Sequence, residues 1–243
     1  MDAIYKNIQD SISEGEKLLA VLIDPDKFLL EKTFNFIDKV NKSIATHIFV
    51  GGSLVEEGVT EELVIELKKY TNLPVVLFPG DVTQITNKAD ALLFLSLLSG
   101  RNPEYLIGKH IRAVSKLKGS SLEVIPTGYI LIESGKVTAV EKVTGTKPIM
   151  RNNLHNIIDT AIAGQLLGMK LIYLEAGSGA KYGLTKEIIK AVKNELQVPL
   201  IVGGGLRTKL QIENAYEAGA DIVVIGTAFE DDESFFDELK KEL

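Results

Sequence analysis

Cysteine is absent from the 243 residues, which excludes both a disulfide framework and a zinc–thiolate centre. No apolar run approaches the roughly 18 residues of a membrane-crossing helix; the longest, Ala91 to Leu98, is strand-sized. A surplus of basic residues is missing too, and a net charge of -6 argues against nucleic acid as a partner. The first residues, Met1-Asp2-Ala3-Ile4-Tyr5-Lys6, lack the charged-then-apolar pattern of a secretion signal, so a cytoplasmic location is expected. Histidine is scarce: His47, His110 and His155 fall in no ligand spacing and read as structural or surface residues. No linker, low-complexity segment or short-period repeat divides the chain, so residues 1–243 are expected to form one domain.

What is present is ordinary in bulk and regular in pattern. Hydrophobic residues at 45% and charged residues at 25% suit a soluble globular domain. A chain of this size buries roughly 70–75% of its unfolded surface, enough for a core without staples. Eight short apolar runs recur: Leu18–Ile23, His47–Val50, Pro74–Phe78, Ala91–Leu98, Leu122–Pro126, Lys170–Leu174, Pro199–Val202 and Asp221–Ile225. They lack strict alternation, as strands buried on both faces do. Between them lie amphipathic stretches of helical spacing, such as Glu61 to Tyr70 and Leu184 to Leu196. Eightfold strand–helix alternation in about 250 residues predicts an α/β fold, a single (β/α)₈ TIM-type barrel, with an open doubly wound sheet as the alternative. Two departures are expected. The short stretch from Pro79 to Asp90 predicts a modified or missing third helix, and residues 129–140, turning at Glu133-Ser134-Gly135-Lys136, predict a hairpin insert after strand five.

In such barrels the chemistry sits at the C-terminal strand ends, with phosphate commonly bound after strands seven and eight. Gly177-Ser178-Gly179, Gly203-Gly204-Gly205 and Gly226-Thr227-Ala228 follow strands six, seven and eight. Each alone reads as a tight turn; three in succession read as a phosphate cradle built from backbone N–H groups. Period-two alternation puts Tyr173 and Glu175 on one face of strand six. Glu175 at the strand's end suits a general base, and equally a salt-bridge partner for a neighbouring Lys or Arg. Strand one ends in Asp24-Pro25-Asp26, where Asp24 offers a carboxylate and Ser53, after Gly51-Gly52, a hydroxyl. That donor pair suits Mg²⁺ with substrate phosphates, and an Asp-Pro pair also suits a plain turn.

Taken together, Leu22-Ile23-Asp24-Pro25-Asp26-Lys27, Val50-Gly51-Gly52-Ser53, Phe78-Pro79-Gly80, Pro126-Thr127-Gly128-Tyr129-Ile130, Tyr173-Leu174-Glu175-Ala176-Gly177-Ser178-Gly179 and Val202-Gly203-Gly204-Gly205 resemble the geranylgeranylglyceryl phosphate synthase family, which includes the heptaprenylglyceryl phosphate synthases. The resemblance spans about residues 15–230, and its most specific element is Tyr173 to Gly179. It implies a Mg²⁺-dependent prenyltransferase joining sn-glycerol 1-phosphate to a polyprenyl diphosphate, geranylgeranyl diphosphate being the expected donor. By the same resemblance Asp24 and Ser53 would hold magnesium. Tyr173, Leu174, Glu175, Ala176, Gly177, Ser178 and Gly179, with Gly204, Gly205, Gly226 and Thr227, would bind glycerol phosphate. Glu175 would orient or deprotonate the attacking hydroxyl. No Asp-Asp-x-x-Asp motif of the α-helical prenyltransferases is present, which calls for a simpler metal site. The prenyl tail needs an apolar groove, for which Phe78, Tyr129 and the Ala91-to-Leu98 run stand as candidates, with plain core as the alternative. The resemblance further implies a homo-oligomer, dimer or hexamer, and transient membrane contact for the lipid substrate. Competing readings are a sugar-phosphate isomerase or cyclase using Asp24 and Glu175, a non-catalytic phosphate-ligand sensor, and a flavin-phosphate oxidoreductase.

Overall fold

A computed structural model describes residues 3–231 and 234–240. Eight parallel strands follow one another round a closed barrel: β1 (Leu18–Ile23), β2 (His47–Val50), β3 (Val75–Leu77), β4 (Ala91–Leu97), β5 (Glu123–Leu131), β6 (Leu171–Glu175), β7 (Leu200–Gly203) and β8 (Ile222–Ile225). β8 pairs with β1 from Ile222 opposite Leu18 to Ile225 opposite Val21, so no sheet edge is left open. The helices are α1 (Ala3–Ser13), α2 (Thr33–Lys42), α3 (Val59–Leu67), α4 (Lys109–Leu117), α5 (Ala139–Thr144), α6 (Leu154–Leu166), α7 (Lys186–Glu195), α8 (Lys209–Glu217), α9 (Thr227–Asp231) and α10 (Phe235–Glu238). None of them is long and apolar enough to cross a membrane.

Strand alternation sorts the core into two layers. Ala20, Phe49, Val76, Leu93, Ile125, Leu171, Tyr173, Ile201 and Val224 fill the barrel interior. Their neighbours Val21, Ile48, Val75, Leu92, Ile172, Leu174, Val202 and Val223 pack outward against the helices. This is why the runs show no polar alternation: both faces of every strand are dry.

The expected gap in the third unit is real. Only a 3₁₀ turn, Val82–Gln84, stands between β3 and β4, its N–H at Val82 capped by the Asp81 side chain. The hairpin after strand five is not. Tyr129, Ile130 and Leu131 continue β5, pairing in parallel with Tyr173, Leu174 and Glu175 of β6. Val137 to Val140 forms no strand, because Thr138 and Glu141 close a capping box that starts α5, and Gly145 in a left-handed conformation ends it.

The base of the barrel is held by carboxylates, Glu123 and Asp221 buried and Asp90 partly so. Asp90 accepts the β3 N–H of Val75 at 2.8 Å and pairs with Lys68 just beyond α3 at 2.5 Å. Asp221 does the same for the β7 N–H of Leu200 at 2.8 Å, paired with Lys193 of α7 at 2.5 Å. Glu123 receives the N–H groups of Ile4 and Tyr5 at 2.7 and 2.8 Å, the first turn of α1. That bond seats α1 across the bottom, with Ile8 buried in the interior layer.

Candidate active site

The opposite, C-terminal strand ends open into a cavity of about 470 Å³. Because β6 alternates, Tyr173 and Glu175 both point into it, as the strand's sequence pattern requires. Glu175 is only 6% exposed and accepts the N–H of Gly177 at 2.6 Å. It forms no ion pair among the described residues, which removes the salt-bridge reading of this carboxylate. Burial pushes its pKa from the ordinary 4.5 up to about 7, against the lowering effects of Tyr173 and the Gly177 N–H. The buried Tyr173 hydroxyl lies beside the carboxylate, outside strict hydrogen-bond geometry but close enough to favour the charged form of Glu175. His110 of α4 lines the apolar part of the cavity, edge-on to Phe94 with ring centres 4.3 Å apart and 3.2 Å from the Ser96 hydroxyl, while His47 and His155 stand apart from it. His47 bonds to Thr46 Oγ1 at 2.8 Å, burial lowering its pKa to about 4, and exposed His155 pairs with Asp159 at 3.1 Å.

The glycine loops converge on Glu175. Gly204 has φ +82°, and a Cβ there would lie 2.3 Å from Glu175 Oε1, so only glycine allows both the turn and the approach. Ser178 and Thr227 face each other across the gap, their hydroxyl oxygens 3.3 Å apart. Tyr129, Tyr173, Glu175, Ser178, Gly179, Gly204, Gly205, Gly226 and Thr227 line the one cavity, together with Asp24 and Ser53. Three residues of the β6 motif stay out of the lining. Leu174 faces the helices, Ala176 is fully buried, and Gly177 directs its N–H to Glu175.

Across the mouth, Asp24 stands at the end of β1 against the second loop. A Cβ on Gly52 would come within 2.5 Å of Asp24 Oδ1, so glycine there makes room for the carboxylate. Oδ1 takes the Asp26 N–H at 3.3 Å and Oδ2 meets Lys27 at 3.1 Å. Among the described residues no three His, Cys, Asp or Glu side chains gather as a metal cage. One carboxylate, one hydroxyl and open space for substrate oxygens would suit a hard cation that keeps much of its own water shell.

The rest of the cavity is mostly apolar. Phe78, Leu93, Leu95, Leu97 and Tyr129 line it from the barrel interior. Leu92 and Phe94, on the opposite face of β4, line it as well, with Val82, Ile85, Ala113 and Val143. The cavity therefore passes round β4 into the space that a third helix would fill. Several lining groups carry no sequence signature. Lys109 of α4 donates to Gly80 O at 2.8 Å and to Asp81 Oδ2 at 2.5 Å, with its ammonium 4.4 Å from the Tyr105 ring centre. Arg207, beside the triple glycine, also reaches the lining, and only its place after Gly203-Gly204-Gly205 hinted at it.

Comparison with known proteins gives one consistent answer. A protein of Flavobacterium johnsoniae named geranylgeranylglyceryl phosphate synthase is 54% identical, covering 98% of this chain and 98% of its own. One of the same name from Pyrococcus abyssi is 41% identical, over 97% and 93% of the two chains. The crystal structure of (S)-3-O-geranylgeranylglyceryl phosphate synthase from Thermoplasma acidophilum, in complex with sn-glycerol-1-phosphate, superposes with a TM-score of 0.90 at 31% identity, covering 97% of this chain and 95% of that one. With the PcrB family model matching residues 11–243 and these relatives alike along nearly their whole length, the chain belongs to the PcrB family, a family of prenyltransferases.

Proposed function

We propose that the chain transfers a polyprenyl group, geranylgeranyl by preference, from its diphosphate to sn-glycerol 1-phosphate, with Mg²⁺. The observation that carries this reading is one cavity with two unlike ends: a glycine-lined anion cradle around buried Glu175, and an apolar lobe behind β4. The relatives' name and the glycerol phosphate bound in the Thermoplasma structure support it. An isomerase, a cyclase or a small-ligand sensor has no use for such an apolar lobe.

In this reading the N–H groups of the loops after β6, β7 and β8 hold the phosphate of glycerol phosphate. The free hydroxyl is thereby set against Glu175, which orients it and accepts its proton. The bond between the allylic carbon and the diphosphate oxygen breaks, the glycerol oxygen bonds to that carbon, and diphosphate leaves. Asp24 and Ser53 would hold Mg²⁺, which supplies neutralising charge for the departing diphosphate. The tail lies along Phe78, Leu93 and Tyr129 toward the lobe behind β4, where burial of each CH₂ contributes about 0.8 kcal/mol.

Incubation with labelled sn-glycerol 1-phosphate, prenyl diphosphates of graded length and Mg²⁺ tests the proposal. A labelled, solvent-extractable ether product is expected; none with any donor refutes it. The oligomeric state and transient membrane contact follow from the resemblance alone, and light scattering and vesicle flotation measure them directly.

A further inference from the structure

A second cavity, also of about 470 Å³, lies behind the glycine loops, between residues 180–189 and 205–215. It shares Gly205, Leu206 and Arg207 with the catalytic cavity. Among the described residues four cations line it, Arg151, Lys181, Lys186 and Arg207, and no Asp or Glu does. Arg151 and Lys181 stand over the same Tyr182 ring, 5.7 and 4.9 Å from its centre. Cations lining one space give it a positive potential that favours an anion there.

Arg151 pairs with Glu133 at 3.5 Å, and Lys186 with Glu217 at 2.7 Å. Lys181 and Arg207 form no ion pair among the described residues. Arg151 is also fixed by the carbonyls of Tyr182 and Gly183, at 3.3 and 3.1 Å, so part of the cationic wall is pre-set. The first turn of α7 opens on the same space, since Thr185 and Lys186 both line it, and its N–H groups add positive potential.

We propose that this cavity is a second anion site, taking a phosphate-class anion of inorganic diphosphate size on Lys181, Lys186 and Arg207. It is distinct from the cradle around Glu175, and the wall between them is thin. A Cβ on Gly205 would sit 3.0 Å from Gly183 N and Cα, so the loops after β6 and β7 touch there. Arg207 is the one charged side chain among the described residues that lines both spaces, and so feels the charge in each.

Calorimetric titration of the full chain with inorganic diphosphate and Mg²⁺, repeated with inorganic phosphate and with sn-glycerol 1-phosphate, tests this. Two classes of diphosphate site per chain are expected. In Lys181→Ala/Lys186→Ala one class should weaken about tenfold or more, the worth of a lost charge-assisted contact. Both lysines are exposed, so the fold should hold, and an unchanged melting temperature checks that it does. Asp24→Asn should keep the lysine-dependent class and lose the other. A double variant whose isotherm matches that of the unsubstituted chain overturns the second site, as does a single class that Asp24→Asn abolishes. Should Asp24→Asn change nothing while the double variant still loses a class, the second site stands and the magnesium assignment of the proposed function fails. The phosphate and glycerol phosphate arms show which anion the second site prefers.

Discussion

Replacing Glu175 with Gln should make the enzyme slower and, at alkaline pH, more stable. Glutamine keeps the shape of the side chain and an acceptor for the Gly177 N–H, bonded at 2.6 Å, while removing the ionisable group. In the folded chain that group's pKa is about 7 against an ordinary 4.5, because burial disfavours the charge. Its folded value exceeds its unfolded value, so the native state retains a proton that the unfolded chain has lost. Its destabilising effect is therefore absent below about pH 4.5, grows as pH rises, and is complete above about pH 7. At 1.36 kcal/mol per unit the cost by pH 8 is about 3 kcal/mol. Glu175→Gln abolishes that cost, so it should melt up to about 6–12 °C above the unsubstituted chain at pH 8 and level with it near pH 4.5. Turnover should fall by about 10²–10⁴-fold, the usual contribution of a general base. The unsubstituted enzyme's rate should rise with pH through about 7, as the carboxylate forms. Differential scanning calorimetry across pH and single-turnover kinetics on one preparation read both quantities. A variant that melts lower at pH 8, or that turns over at a near-normal rate, refutes the reasoning.

Asp24→Asn should abolish most metal-dependent turnover with the melting temperature unchanged; full activity in excess chelator rejects the assignment of a magnesium-holding role. Gly204→Val places a Cβ 2.3 Å from Glu175 Oε1 and forces a φ of +82° on a β-branched residue. It should weaken glycerol phosphate binding far more than prenyl diphosphate binding, and equal losses by calorimetry count against the separation of the two ends. Glu123→Ala strands the N–H groups of Ile4 and Tyr5, costing about 1–3 kcal/mol and so about 2–12 °C in melting temperature. Turnover per folded molecule should not move, and a specific loss of catalysis would show that the base and the mouth are coupled.

The barrel was legible in the chain because its strands are dry on both faces, and β1 and β2 begin and end where their apolar runs do. The convergence of Tyr173, Glu175 and the glycine loops was legible for a related reason: period two fixes which side chains share a face. The hairpin was misread because two apolar runs flanking a Glu-Ser-Gly-Lys turn look alike whether the second is strand or helix. The Thr138-x-x-Glu141 box was the local signal that decides it. Helix α1 went unmarked because its anchor, Glu123, is about 120 residues away, beyond any local pattern. Arg207, Lys109 and the second cavity were equally hidden, since cations brought together by folding have no spacing in the sequence.

The carboxylates at the base bear on how such a protein can change over generations. Asp90 with Lys68 and Asp221 with Lys193 recur four strands apart, half a turn round the barrel, and Glu123 adds the buried seat for α1. The strands are thus fixed from the end opposite the chemistry, and the rim loops carry little of that load. A library randomised at Phe78, Leu95, Ala113 and Val143 should return folded proteins of altered donor preference far more often than one randomised at Asp90, Glu123 and Asp221 returns folded proteins at all. Selection can rewrite what the mouth accepts while leaving untouched the few residues that make it a barrel.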